Sequence, residues 1–289
     1  MRYLEGFIAY ETYRPKIRFS SERIDFNYRL SGSGDEVILT LLESSMFKTT
    51  AYYQLLQILE TKYKVLVIED LNPVYDHQMI IKGIKGLLDA LSYRHIHLLG
   101  MNLGGSLALM FAKYDPIRIK SLILYHSIVH TSFMNKEAKD LKEQLLKTID
   151  DVKDLRKIMS LDDIKIALMA QIKDFITHIE DIDQEQAYDY FEYLMSQYQT
   201  NDETYQMQRI KDFLLSEPLD AKSFEALSKQ SYILYGDDED PFYGPMMLEI
   251  AVDLFNNPKV EYLKHNRFEI ILKPEQFANK ILEHIKEKD

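Results

Sequence analysis

The sequence predicts an α/β chain: a mostly parallel central sheet flanked by helices and interrupted by one all-helical insertion. Three observations carry this. Short, nearly continuous apolar runs at 37–42 (VILTLL), 65–68, 95–99 and 119–125 have the length and content of strands covered on both faces. Stretches with apolar residues at helical spacing lie between them, and strands alternating with helices imply a parallel sheet with helices on both sides. From 131 to 217 strand patterning is lost. Dense charge interleaved with Ile, Leu, Met, Phe and Tyr replaces it, as in KEAKDLKEQLLKTIDDVKDLRKIM, which reads as several amphipathic helices.

The elements follow in order. Residues 16–20 and 24–30 alternate as a hairpin would, before the Ser31-Gly32-Ser33-Gly34 turn. The strand at 37–42 leads to Thr49 and Thr50, which are expected to cap a helix over 52–59. A strand at 65–68, a loop marked by Pro73 and an amphipathic helix at 79–91 come next. Strand 119–125 closes the first part. After the insertion the pattern resumes with a strand at 231–235, a helix at 246–255, a strand at 260–263 and a closing helix at 274–285. The expected organisation is therefore a core formed by 1–130 and 221–289, with a helical cap at 131–220. Such a cap roofs a pocket above the carboxyl ends of the strands, where open α/β sheets bind ligands.

The stretch 94–114, RHIHLLGMNLGGSLALMFAKY, organises the chain. Its strand, glycine-pinched turn and helix have the layout of a nucleophile elbow, in which a strained central residue stands between small neighbours. The central residue is Asn102. An amide has no ionisable proton and is a poor nucleophile, so the local expectation is an amide that hydrogen-bonds the turn.

Composition narrows the function. A net charge of −11 argues against nucleic acid as a partner, since that contact needs a concentrated positive surface. With no cysteine there is no disulfide, thiolate nucleophile or Cys-ligated zinc, and a cytoplasmic location is expected. The opening MRYLEGFIAYETYRPK has neither the form of a signal peptide nor the length of a membrane span, so no transmembrane segment is expected and peripheral membrane association stays open. His77, His126 and His130 have no recognised ligand spacing, and neither metal nor cofactor is expected.

The order of elements, the elbow, the segment YGDDEDPF and the closing HNRFEIILKPEQFANKILEHI resemble the α/β-hydrolase superfamily. That resemblance implies a triad in the chain order nucleophile, acid, histidine. Asn102 stands at the nucleophile position. The acid position falls on Asp240, with Asp238 second. Seven residues before Pro274, where the superfamily places its histidine, stands Arg267; His265 is a substitute base, displaced by about 6 to 7 Å along an extended chain. Arginine stays protonated and cannot act as a general base at neutral pH. Glu43 and Ser44 occupy the oxyanion loop, where a carboxylate opposes developing negative charge. With Met101, Leu103 and His126 they are the expected pocket residues. Within the superfamily, PVYDH at 73–77, GIKGLLDAL at 83–91, HLLG at 97–100, LGG at 103–105 and TSFMN at 131–135 are similar to maspardin-like members. Those keep an elbow serine, lack the usual histidine, and are regarded as non-catalytic binding proteins of the cytosol and of endosomal or Golgi membranes.

The expected function is thus that of a catalytically inactive relative binding a protein partner or a small apolar ligand through the cap and the pocket, with Tyr188, Tyr190, Tyr193 and Tyr198 either anchoring a partner or packing cap helices. The alternative is an active hydrolase of small esters or lipids with a displaced constellation, drawing on Ser44, Ser45 or Ser106 with His126 or His265.

Overall fold

Among the described residues eight strands, the central ones supplied by short apolar runs, build a single sheet. The computed structural model describes residues 2–21, 24–42, 46–71, 76–236, 245–264 and 268–286. The strands are β1 (Ile17–Ser21), β2 (Ile24–Ser31), β3 (Val37–Leu41), β4 (Lys64–Glu69), β5 (Ile96–Met101), β6 (Ile119–Tyr125), β7 (Ser231–Gly236) and β8 (Lys259–Leu263). Their order is β1-β2-β4-β3-β5-β6-β7-β8. β1 and β2 form the antiparallel hairpin read from the alternation, β2 runs antiparallel to β4, and all later pairings are parallel. Every residue of β3 and β5 is buried, which is what a strand covered on both faces requires.

The helices are α1 (Tyr3–Tyr13), α2 (Tyr53–Glu60), α3 (His77–Ala90), α4 (Leu103–Tyr114), α5 (Lys136–Ile158), α6 (Leu161–Thr177), α7 (Gln184–Ser196), α8 (Thr200–Leu215), α9 (Pro245–Phe255), α10 (Glu269–Leu272) and α11 (Glu275–Lys286). The period of two along each strand divides the apolar residues between two cores. Leu39 and Leu41 enter the core under α3, α4 and α9; Ile38 and Leu42 enter the one under α2, α10 and α11. Four helices, α5 to α8, stand between β6 and β7. Leu145, Ile149 and Phe213 of α5 and α8 extend the first core, whereas Ile164, Leu168, Tyr190 and Phe191 of α6 and α7 extend the second. Asn135, Ser160 and Asp183 cap α5, α6 and α7 by accepting backbone N–H bonds at 2.8, 3.1 and 3.0 Å, each a contribution of about 1 kcal/mol.

Two expectations are corrected. Thr49 and Thr50 do not cap α2: Thr49–Tyr52 form a buried 3-10 turn that runs straight into it, with no side-chain cap on either. Helix α1, not foreseen from the sequence, buries Phe7 and Tyr10. Phe7 packs on Tyr190 and Tyr193 of α7 at ring separations of 5.6 and 5.9 Å.

Candidate functional site

The elbow is built as its spacing implies. Between β5 and α4, Asn102 adopts φ 52° and ψ −123°, far from the left-handed helical well near φ +57°, ψ +47° that asparagine tolerates. Its side chain does not cap α4, so the expected local hydrogen bond to the turn is not what holds it. The backbone does: Asn102 N–H donates to Tyr125 O at 3.2 Å, and Gly105 N–H donates to Asn102 O at 3.1 Å. The two glycines that follow are required by close approach. A Cβ on Gly104 would stand 2.0 Å from Leu41 O, and one on Gly105 would stand 1.8 Å from Ser127 Oγ. Carrying a strained non-glycine backbone costs on the order of 1–3 kcal/mol and persists where its surroundings over-determine it.

Asn102, only 6% exposed, is flanked by buried Met101 and Leu103. His126 follows β6 with φ 43°, and the Asn102 to Tyr125 bond ties the two strand ends together. The Nε2 of His126 accepts the Gly236 N–H at 3.2 Å, so this nitrogen is unprotonated and its lone pair is engaged. Ser106, buried in the first turn of α4, donates to Ile128 O at 3.0 Å. Both described members of the displaced constellation therefore carry structural hydrogen bonds. Glu43, Ser44, Ser45, Asp238, Asp240, His265 and Arg267 lie outside the described residues. His77 and His130 each pack edge-on to Phe213, both at 6.4 Å.

One constellation escaped the sequence reading. His97 places Nδ1 3.1 Å from Ser121 Oγ and Nε2 3.3 Å from Glu36 Oε2. The order resembles serine, histidine and acid, but Ser121 and His97 are fully buried near the amino ends of β5 and β6. A nucleophile must reach substrate, and this one cannot.

A pocket was expected beneath the insertion, but the residues that line the cavity of about 140 Å³ were not: Met101, Leu103 and His126 are absent from its lining. Its floor is the segment 46–51 after β3 and the end of β4 from Ile68 to Leu71; its other wall is the α7–α8 connection with Tyr205, Gln206 and Arg209 of α8. Glu69 and Asp70 lie in the floor with their charges balanced. Glu69 is 3.0 Å from Arg29 Nε and 3.5 Å from Lys16 Nζ; burial still pushes its carboxyl above the ordinary glutamate value. Burial also raises Asp70, but hydrogen bonds from Lys16 at 2.7 Å and Asn27 at 2.9 Å outweigh it and hold that carboxyl below the usual range.

Comparison with known proteins agrees with the fold. No family model matches the chain. Proline iminopeptidase of Lactobacillus crispatus is 32% identical over 146 residues, covering 47% of this chain and 48% of that protein. Human maspardin is 39% identical over 88 residues, 29% of this chain and 28% of maspardin. The matched segment thus spans about half of the first relative and under a third of the second. Among solved structures, a hydrolase from Pseudomonas aeruginosa superposes with a TM-score of 0.70 at 16% identity, over 93% of this chain and 98% of that one. The epoxide hydrolase CorEH gives 0.66 at 14% identity, over 95% and 99%. Among the described residues no helix is long and apolar enough to cross a membrane. The chain has the α/β-hydrolase fold and resembles maspardin.

Proposed function

We propose that this chain is a non-catalytic member of its fold, which holds a small ligand or a partner protein between the α5–α8 insertion, acting as a cap, and the carboxyl ends of the strands. The observation that carries the reading is Asn102 in the strained elbow position, where covalent acyl transfer needs an ionisable hydroxyl, thiol or carboxylate. The structural bonds of Ser106 and His126 support it, since neither side chain is free to replace the missing chemistry. The similarity to maspardin supports it as well.

Tyr190 and Tyr198 of the insertion are buried and bond Ala51 O at 2.8 Å and Glu203 Oε2 at 2.5 Å. They pack the cap, and Tyr193 packs on Phe7 of α1; half-buried Tyr188, with Lys173 over its ring, is the one left to meet a partner.

The similarity to proline iminopeptidase favours a second reading, hydrolysis of small esters or amino-terminal amides. One assay separates the two: turnover of short and medium aryl esters and of prolyl arylamides by the wild type, Asn102→Ala and Asn102→Ser. Absence of turnover in all three is the expected result. Wild-type turnover that Asn102→Ala abolishes would overturn the proposal.

A further inference from the structure

The cavity between the end of β4 and α8 is lined by a neutral acceptor that its protein surroundings leave unanswered. The Oε1 of Gln206 is buried and has no hydrogen-bond partner, yet it belongs to a cavity-lining side chain. A carbonyl oxygen accepts and cannot donate, so the group that satisfies it must bring an O–H or N–H. A buried acceptor left without such a group costs about 1–3 kcal/mol.

The rest of the lining limits what brings that donor. Phe7, Phe47, Ala51, Ile68 and Leu194 give the cavity an apolar side. The carboxylates in the floor already have cationic partners, Glu69 with Arg29 and Asp70 with Lys16. Lys48 and Arg209 also line the cavity, so a cationic ligand would face these two and an anionic one would face Glu69 and Asp70, whereas a neutral one meets neither repulsion. Size is set by volume: an engineered cavity of about 150 Å³ accepts benzene, and this one holds about 140 Å³. The exposed residues of the lining are Lys48, Asp70, Gln197, Gln199 and Tyr205.

From these observations we infer that the cavity between β4 and α8 binds a small neutral molecule with a compact apolar body and one hydrogen-bond donor, an alcohol or a primary amide, whose donor meets Gln206 Oε1. The inference deepens the proposed ligand-holding function and rests on it only for the claim that the molecule is held without being turned over.

Ligand-detected NMR on the full chain tests it, with benzyl alcohol and benzamide as probes, toluene as the probe lacking a donor, and benzoate and benzylamine as charged probes. Benzyl alcohol and benzamide are expected to bind several-fold more tightly than toluene and than either ion. Gln206→Leu, which keeps the side-chain bulk, should weaken the two donors by about three- to tenfold and leave toluene unchanged or tighter. Leu194→Phe, which fills the apolar side, should weaken all probes. Thermal melts of both variants establish that they fold. Binding of no probe by wild type, or equal binding by folded Gln206→Leu and wild type, would overturn the inference. Turnover in the ester assay with the Gln206 dependence intact would refute the non-catalytic reading and leave the pocket assignment standing.

Discussion

Arg29→Met tests the buried charge network that fixes the end of β4 beneath the cavity. Arg29, in β2 opposite Val67, is buried. It donates to Glu69 Oε2 at 3.0 Å, to Glu11 Oε1 at 2.7 Å and to the carbonyls of Glu11 and Arg14. Methionine preserves the stem but strands the Glu69 carboxylate, whose side chain is 2% exposed. Removing one partner of a buried pair costs about 3–5 kcal/mol. Lys16 stays 3.5 Å from Glu69 and is 37% exposed, so its screened charge offsets part of the loss and the expectation is about 3 kcal/mol. The pH dependence has a definite sign. Glu69 already titrates above the ordinary glutamate value, so the folded state binds more protons than the unfolded one between the two values. Stability from this group is complete below the unfolded value and is lost as pH rises through the folded one. Losing Arg29 raises the folded value further and widens that window. Urea unfolding at pH 7 and pH 5 should show the variant regaining, relative to wild type, part of its deficit at the lower pH. The double variant Arg29→Met, Glu69→Leu should be more stable than Arg29→Met alone by at least about 2 kcal/mol, because both charges are gone. A single-variant loss below about 1 kcal/mol, or a double variant no better than the single one, would refute the reasoning.

Gly104→Ala should destabilise by at least about 2 kcal/mol in the same urea assay, because its Cβ meets the Leu41 carbonyl, a backbone atom that no rotamer change can move; a near-neutral midpoint would show that β3 and α4 can separate. His130 is held below the ordinary histidine value by burial and then by Lys142. Its unfolded form therefore binds more protons, and its stabilisation, present above the unfolded value, is lost as pH falls through the folded one. Wild type should accordingly lose more stability between pH 7.5 and pH 5.5 than His130→Gln, and equal losses would remove His130 from the acid response.

Much of this architecture was legible because its causes are local. A run such as 37–42 states its own burial, and the alternation at 16–30 states the hairpin. The glycines around Asn102 mark a place where strand and helix nearly touch. The elbow was legible down to its central residue, since a strained turn demands particular neighbours within a few positions. The hydrogen bond expected from the Asn102 amide was misjudged because ψ is set by the sheet, through Tyr125 O, and by the close approach of Leu41. Thr49 and Thr50 looked like caps in isolation, but they are buried in a 3-10 turn packed beside α1, α10 and β4.

What the sequence determined by itself is the succession of elements, the sheet with its helical insertion, and the chemical poverty of the elbow. The tertiary structure alone decided where α1 packs, which histidine nitrogens are engaged, and which residues line the cavity. Its walls come from Phe7, residues 46–51, the end of β4 and α7–α8, segments with no shared periodicity. A void is the space that separately folded surfaces fail to fill, so no single stretch of sequence encodes it.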